Sequence, residues 1–171
     1  MAFSFQIANE IDGIPLLRFS ERLFRETYSG LNSPGNMELY CEKAFSPVYF
    51  EEDFRQENVR FLLAYEEKTL AAYAKLVLGS ATPIEPSRIG VEIARFYLDT
   101  PFQGIGLGQK FMNHCLGWAR EQGYPCVWLG VWPENPRAVH FYERIGFEKI
   151  GTADFLLGTD PQTDDVMLIN V

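Results

Sequence analysis

The sequence predicts a mixed α/β fold in which helices flank a sheet with antiparallel parts. Three observations lead there. Apolar segments of period 2 and period 3.6 follow one another as strand, helix, helix, hairpin, strand, helix, strand, helix, strand, strand, which is not the regular alternation of a parallel βα fold. Two apolar runs, Phe61–Tyr65 and Thr69–Leu78, are joined only by Glu66-Glu67-Lys68 and read as a hairpin. A further run, Val91–Leu98, leads into a glycine-rich turn that opens a long helix.

Taken in order, Phe3–Ala8 reads as a first strand. Ile14–Tyr28 carries Leu16, Leu17, Phe19, Leu23, Phe24 and Tyr28 near helical spacing, an amphipathic helix. Gly30–Asn36, with Pro34 and Gly35, is a break. Met37–Ala44 is a second short helix, and Glu51–Asn58 holds another turn or two. After the hairpin, Ala81–Ser87 is a loop punctuated by Pro83 and Pro86. Val91–Leu98 is a strand, and Ile105–Gln122 a helix closed by Gly123 as its C′ residue. Cys126–Val131 is a strand, Asn135–Ile145 a helix with Pro136 in its first turn, and Glu148–Leu157 and Val166–Val171 are closing strands.

A chain of 171 residues fits a single domain, residues 1–171, with one sizeable core. Hydrophobic residues make up 47% and aromatics 15%, well outside the disordered range. No apolar run is long enough for a membrane span. The N-terminus carries neither a basic region nor a cleavable apolar segment, so a cytoplasmic location is expected. Cys41, Cys115 and Cys126 lack metal-ligand spacing and read as buried thiols in a reducing compartment. His114 and His140 are the only histidines, too few for a metal site and without a hydrolase signature. The formal net charge of −8 argues against binding nucleic acid through a basic face. It suits a cationic small-molecule partner, and equally suits plain solubility.

The chemistry begins at Gln103-Gly104-Ile105-Gly106-Leu107-Gly108. A strand, a glycine turn and a helix start aim several backbone N–H groups at one spot on the positive end of a helix dipole, a seat for phosphate. A dinucleotide fingerprint fails, because its third glycine falls on Gln109 or Phe111. A P-loop fails, because no Gly-Lys-Ser/Thr occurs. The pattern Gln/Arg-x-x-Gly-x-Gly/Ala fits, with Gln103, Gly106 and Gly108.

Downstream stands Asn135-Pro136-Arg137-Ala138-Val139-His140-Phe141-Tyr142-Glu143-Arg144-Ile145-Gly146-Phe147. With the glycine turn, it resembles the Asn-x-x-Ala-x-x-Phe-Tyr-x-x-x-Gly-Phe signature of the GNAT family of N-acetyltransferases. The resemblance runs from about Val91 to Phe147, and the strand order suits that fold along the whole chain. Phe24–Tyr28, Met37–Tyr40, Ala44–Ser46, Phe155–Asp160, Thr163-Asp164 and Val166-Met167 are similar to the PaiA-like branch, whose members acetylate spermidine and spermine.

The resemblance implies a mostly antiparallel mixed sheet with a splayed central strand pair, flanked by helices, and acetyl-CoA as cosubstrate with no metal. Amides from Gly104, Ile105, Gly106, Leu107, Gly108 and Gln109 would carry the pyrophosphate. Backbone groups of Phe96, Tyr97 and Leu98 would hold the pantetheine arm and polarise the thioester carbonyl, as an oxyanion hole does. Asn135, Ala138 and Tyr142 share one helix face. Tyr142 is the candidate general acid for the departing sulfur, against a packing aromatic. Asn135 is a cofactor contact or a helix cap. Arg137 and Arg144 reach phosphates or sit in solvent.

Glu92 is the candidate base for an ammonium substrate. It lies on the strand before the turn, where the histone-acetyltransferase branch carries its glutamate; the competing role is an ion pair with Arg88 or Arg95. Glu26, Glu38, Glu42, Glu51, Glu52 and Asp53, in the helical region that roofs the acceptor site, would hold a long cation or simply be solvated.

The implied function is direct acetyl transfer from acetyl-CoA to a primary amine, with a polyamine as acceptor. The rivals are acetylation of a protein N-terminus, amino acid or antibiotic amine, and a non-catalytic acyl-CoA-binding module. Monomer and homodimer both remain open.

Overall fold

The computed structural model describes residues 2–171. Along the chain run β1 (Phe3–Ile7), a 3₁₀ turn at Glu10–Asp12, α1 (Gly13–Tyr28), α2 (Pro34–Ala44), α3 (Pro47–Arg55), β2 (Val59–Glu66) and β3 (Thr69–Ala81). There follow β4 (Ile89–Leu98), a 3₁₀ turn at Thr100–Phe102, α4 (Leu107–Glu121), β5 (Cys126–Val131), α5 (Pro136–Ile145), β6 (Glu148–Leu157) and β7 (Asp160–Asn170). The strands form one seven-stranded sheet in the order β1-β2-β3-β4-β5-β7-β6. Every neighbouring pair is antiparallel except β4 and β5.

Helix starts are set by one repeated device. Ser33, Ser46 and Asn135 each cap a helix with a side-chain oxygen, and Pro34, Pro47 and Pro136 follow at the first position. Each cap contributes about 1 kcal/mol, and proline there gives up no hydrogen bond. The expected break at Gly30–Asn36 is therefore shorter, because α2 already starts at Pro34. Likewise α3 begins at Pro47 rather than Glu51 and ends at Arg55. β7 starts at Asp160, not Val166, because its polar first half pairs with β6 from Leu157↔Asp160 to Thr152↔Asp165.

Helices cover both faces. α4 and α5 lie on one, where Leu107, Phe111, Met112 and Cys115 meet Leu62, Val91, Ile93, Val127 and Leu129. α1 and α3 cover the other, where Leu16, Leu17, Leu23 and Phe50 meet Phe61, Leu63 and Tyr73. A smaller cluster of Phe24, Met37, Cys41, Phe45 and Leu157 ties α1 and α2 to β6. All three cysteines are free and buried. Among the described residues, no helix is long and apolar enough to cross a membrane.

Two backbone features shape the centre. β4 and β5 pair only at Val91↔Val127 and Glu92↔Trp128, then separate. Gly90 lets the strands meet at the apex of this fork: a Cβ there would lie 2.4 Å from the Cys126 carbonyl oxygen. In β4, Arg95 pairs with Lys75 but Ile93 with Leu76, so Ala94 is a bulge that shifts the face alternation by one. Ile93, Phe96 and Leu98 consequently all pack toward α4, whereas Tyr97 packs toward α1.

Candidate active site

Where β4 and β5 part, the sheet opens into a cleft of about 1000 Å³. β4 contributes Ile93 through Leu98, whose β5-facing edge has no strand partner beyond Glu92. β5 contributes Gly130 and Val131, and the C-terminal half of α1 adds Glu26, Thr27 and Tyr28. The Arg22 guanidinium donates to both oxygens of Asp99, at 3.0 and 2.8 Å, and so fastens α1 to the end of β4 beside this opening.

The glycine turn closes one end. Gly104 and Gly106 have φ of +78° and +85°, and a Cβ at either would meet nothing within 4 Å, so glycine is needed there for conformation, not space. Gly108 differs: its Cβ would stand 3.3 Å from the Phe141 ring and 3.4 Å from Leu98, so it sets how closely α4 approaches β4 and α5. Gln103 donates from Nε2 to the Leu98 carbonyl at 2.9 Å, bracing the turn against the strand. Gly106 is the N-cap of α4 and offers no side-chain cap, so the first-turn amides remain available to an anion.

Most of the sequence-predicted residues meet here. Phe96, Tyr97, Leu98, Gln103, Gly104, Gly106, Gly108 and Gln109 line the cleft from β4 and the turn; Asn135, Arg137, Ala138, Tyr142 and Arg144 line it from α5. Ile105 and Leu107 are not in the lining: Ile105 is exposed and Leu107 is sealed in the core beneath. Asn135 Oδ1 accepts from the Ala138 amide at 3.2 Å, so it caps α5 while facing the cleft. Arg137 and Arg144 are exposed and, among the described residues, form no ion pair.

Tyr142 is buried, its ring edge-on to Phe141 and Phe147. Burial lifts its phenol far above the ordinary tyrosine range, with smaller contributions from Tyr28 and Cys115. The hydroxyl therefore keeps its proton through the neutral range.

Glu92 lies at the apex of the fork, one residue before the lining begins. Its Oε2 accepts from the Ser80 hydroxyl at 3.2 Å. Burial raises its pKa, opposed by that hydrogen bond and by Lys75. Neither expected ion-pair partner reaches it: Arg88 engages Glu85 and Asn170, and Arg95 donates to the Ala44 carbonyl.

The helical carboxylates largely answer to their own neighbours. Glu26 pairs with Arg22, Glu38 with Arg25, Glu51 with Arg55 and Asp53 with Lys75. Of the six acids named from the sequence, only Glu26 lines the cleft. Residues that line it without having been singled out as site residues include Tyr28, Gly130 and Phe141. Phe141 stood inside the α5 motif, and its ring packs on Phe96 at 5.8 Å. Gly130 offered no sequence signal beyond a glycine in a strand. No group of three or more His, Cys, Asp or Glu suited to a metal occurs among the described residues.

Known proteins share this architecture. Over its full length the chain superposes on a PaiA N-acetyltransferase from Thermoplasma acidophilum, solved in complex with coenzyme A, with a TM-score of 0.79 at 18% identity and full coverage of both chains. An uncharacterised N-acetyltransferase from the pepI 3' region of Lactobacillus delbrueckii subsp. lactis is 31% identical over 156 residues, 91% of this chain and 90% of that protein. The spermine/spermidine N(1)-acetyltransferase of Bacillus subtilis (strain 168) is 34% identical over 67 residues, covering 38% of this chain and 43% of that protein. Residues 21–147 match the acetyltransferase (GNAT) family. The family match over residues 21–147 and the 31% identity across nine-tenths of both chains agree with the superposition: the chain is an acetyl-CoA-dependent N-acetyltransferase and belongs to the GNAT family.

Proposed function

We propose that this enzyme transfers acetyl from acetyl-CoA directly to a primary amine within a ternary complex, and that the acceptor is a polyamine such as spermidine or spermine. The observation that carries the reading is the convergence, in one cleft, of the glycine turn, the unpaired edge of β4 and Tyr142.

In this reading, amides from Gly104 to Gln109 hold the pyrophosphate, with Arg137 and Arg144 adding charge. The free edge of Phe96–Leu98 supplies backbone donors to the pantetheine arm and the thioester carbonyl. Acetyl-CoA brings the activated acyl group. Glu92, one residue behind the lining, takes a proton from the incoming ammonium through an intervening water. The nitrogen lone pair then forms the C–N bond. As the C–S bond breaks, Tyr142 gives its proton to sulfur and recovers one from the nitrogen side. One proton is released in total and one ends on the thiol. No activated cysteine supports an acyl-enzyme: burial pushes the Cys41 and Cys115 thiols up, away from thiolate.

The polyamine choice is supported by the net charge of −8, which attracts cations, and by the similarity to the spermine/spermidine N(1)-acetyltransferase of Bacillus subtilis. Buried free thiols are the state a reducing compartment maintains, which supports a cytoplasmic setting. Mass spectrometry of reactions with acetyl-CoA and a panel of spermidine, spermine, lysine peptides and amino acids tests the reading. Acetylated polyamine well above the no-enzyme control is expected. Acetylation of another amine alone removes the polyamine assignment, and no product with any amine removes the catalytic one.

A further inference from the structure

β7 carries an acid on an apolar face. Asp164 alternates with Val166 and Leu168, which pack with Cys126 and Trp128 on the sheet face opposite α4. Its Oδ1 is buried and has no hydrogen-bond partner. Its Oδ2 lies 3.3 Å from where a Cβ on Gly130 would stand, so the missing side chain of a cleft-lining residue leaves the carboxylate beside the cleft. Tyr28 of α1 lines the same cleft, whereas Tyr40 of α2 lies under the charge of the Arg95 guanidinium. The Tyr28 ring is held by a tilted contact with Trp132, centroids 6.1 Å apart.

A buried carboxylate oxygen without a donor is costly unless something brings one. Among the described residues none does. Nearby Asp165 is engaged by Lys149 at 2.6 Å, and the charge that acts on Asp164 is the repulsive one of Asp165. A carboxylate beside a cleft that an aromatic ring also lines can receive an ammonium ion by charge-assisted hydrogen bonding, with cation–π attraction from the ring. We propose that Asp164, together with the cleft-lining Tyr28, binds an ammonium group of the acceptor, making it the carboxylate that selects a cationic substrate. The inference rests on the reading that the cleft serves an amine acceptor.

Direct binding separates it from that reading. Spermidine is titrated by calorimetry into enzyme saturated with CoA, where no transfer occurs. Asp164→Asn is expected to weaken spermidine about ten- to hundredfold, the worth of a hydrogen bond to a charged group, and to leave CoA affinity unchanged. Asp165→Asn, which changes the neighbouring acid of the same strand, is expected to stay within about twofold of wild type. Gly130→Ala, which puts a methyl against Oδ2, is expected to weaken spermidine as well and decides the matter should Asp164→Asn not fold. Wild-type affinity in Asp164→Asn, an equal loss in Asp165→Asn, or no spermidine binding by the wild type would each overturn the proposal. Acetylation of other amines in the mass-spectrometric panel would leave the transferase reading standing in all three cases.

Discussion

Replacing Gly106 by alanine isolates what the glycine turn contributes. Nothing lies within 4 Å of the added methyl, so no clash is introduced. The residue sits at φ +85° and ψ −3°, in the left-handed region. Alanine pays about 1–2 kcal/mol to remain there, which at this chain length lowers Tm by about 2–8 °C. If the backbone relaxes instead, the first-turn amides of α4 rotate away from their common target. CoA affinity then falls about tenfold for each 1.4 kcal/mol of lost alignment. Thermal unfolding with and without CoA, together with calorimetric CoA titration, measures both effects. Gly106→Asn should recover part of each loss, because asparagine tolerates the left-handed region better. Unchanged Tm and CoA affinity in the alanine variant, or asparagine no better than alanine, would refute the conformational argument.

Three further outcomes follow from the same geometry. Tyr142→Phe keeps the ring packed against Phe141 and Phe147, so Tm and CoA affinity should hold while kcat falls about 10²–10⁴-fold; steady-state kinetics beside CoA titration checks this. Gly90→Ala drives a Cβ to 2.4 Å from the Cys126 carbonyl oxygen at the apex of the fork, and denaturant unfolding should show a loss of about 1–3 kcal/mol. Burial, with Asp165 adding, raises Asp164 from 3.8 to about 6, with Tyr28 and Tyr40 the other titratable groups it acts on. A raised native pKa means the folded state binds the proton more tightly, so this contribution to stability is present below about pH 4 and lost as pH rises through about 6. Asp164→Asn should therefore match wild type in acid and exceed its Tm above pH 6 in a pH series of melts.

Backbone-borne features were the legible ones. The glycine turn and the α5 motif could be read because φ requirements, a cap and helical spacing are local, and β5 and β6 fall where alternation put them. The starts of α2 and α3 were missed although Ser33-Pro34 and Ser46-Pro47 announce them, since a cap followed by proline looks like a loop until the helix beyond it is recognised. The first half of β7 was missed because Asp160–Asp165 is polar and is held by pairing with β6. Site acids were the hardest to place. The end of β4–β5 pairing, set by Gly90 and the parting after Trp128, leaves Glu92 just outside the cleft. The bulge at Ala94, invisible in the sequence, shifts the alternation of faces by one from Arg95 onward. Asp164 did leave a trace, an acid in register with Val166 and Leu168, but its meaning depends on Gly130 in a strand far away in sequence.

The central claim is direct transfer inside one cleft. Initial velocities with spermidine at several fixed acetyl-CoA concentrations, with intact-protein mass recorded after acetyl-CoA alone, test it most directly. The account predicts intersecting reciprocal plots and an unmodified protein. Parallel plots with an acetyl adduct on the chain would contradict it.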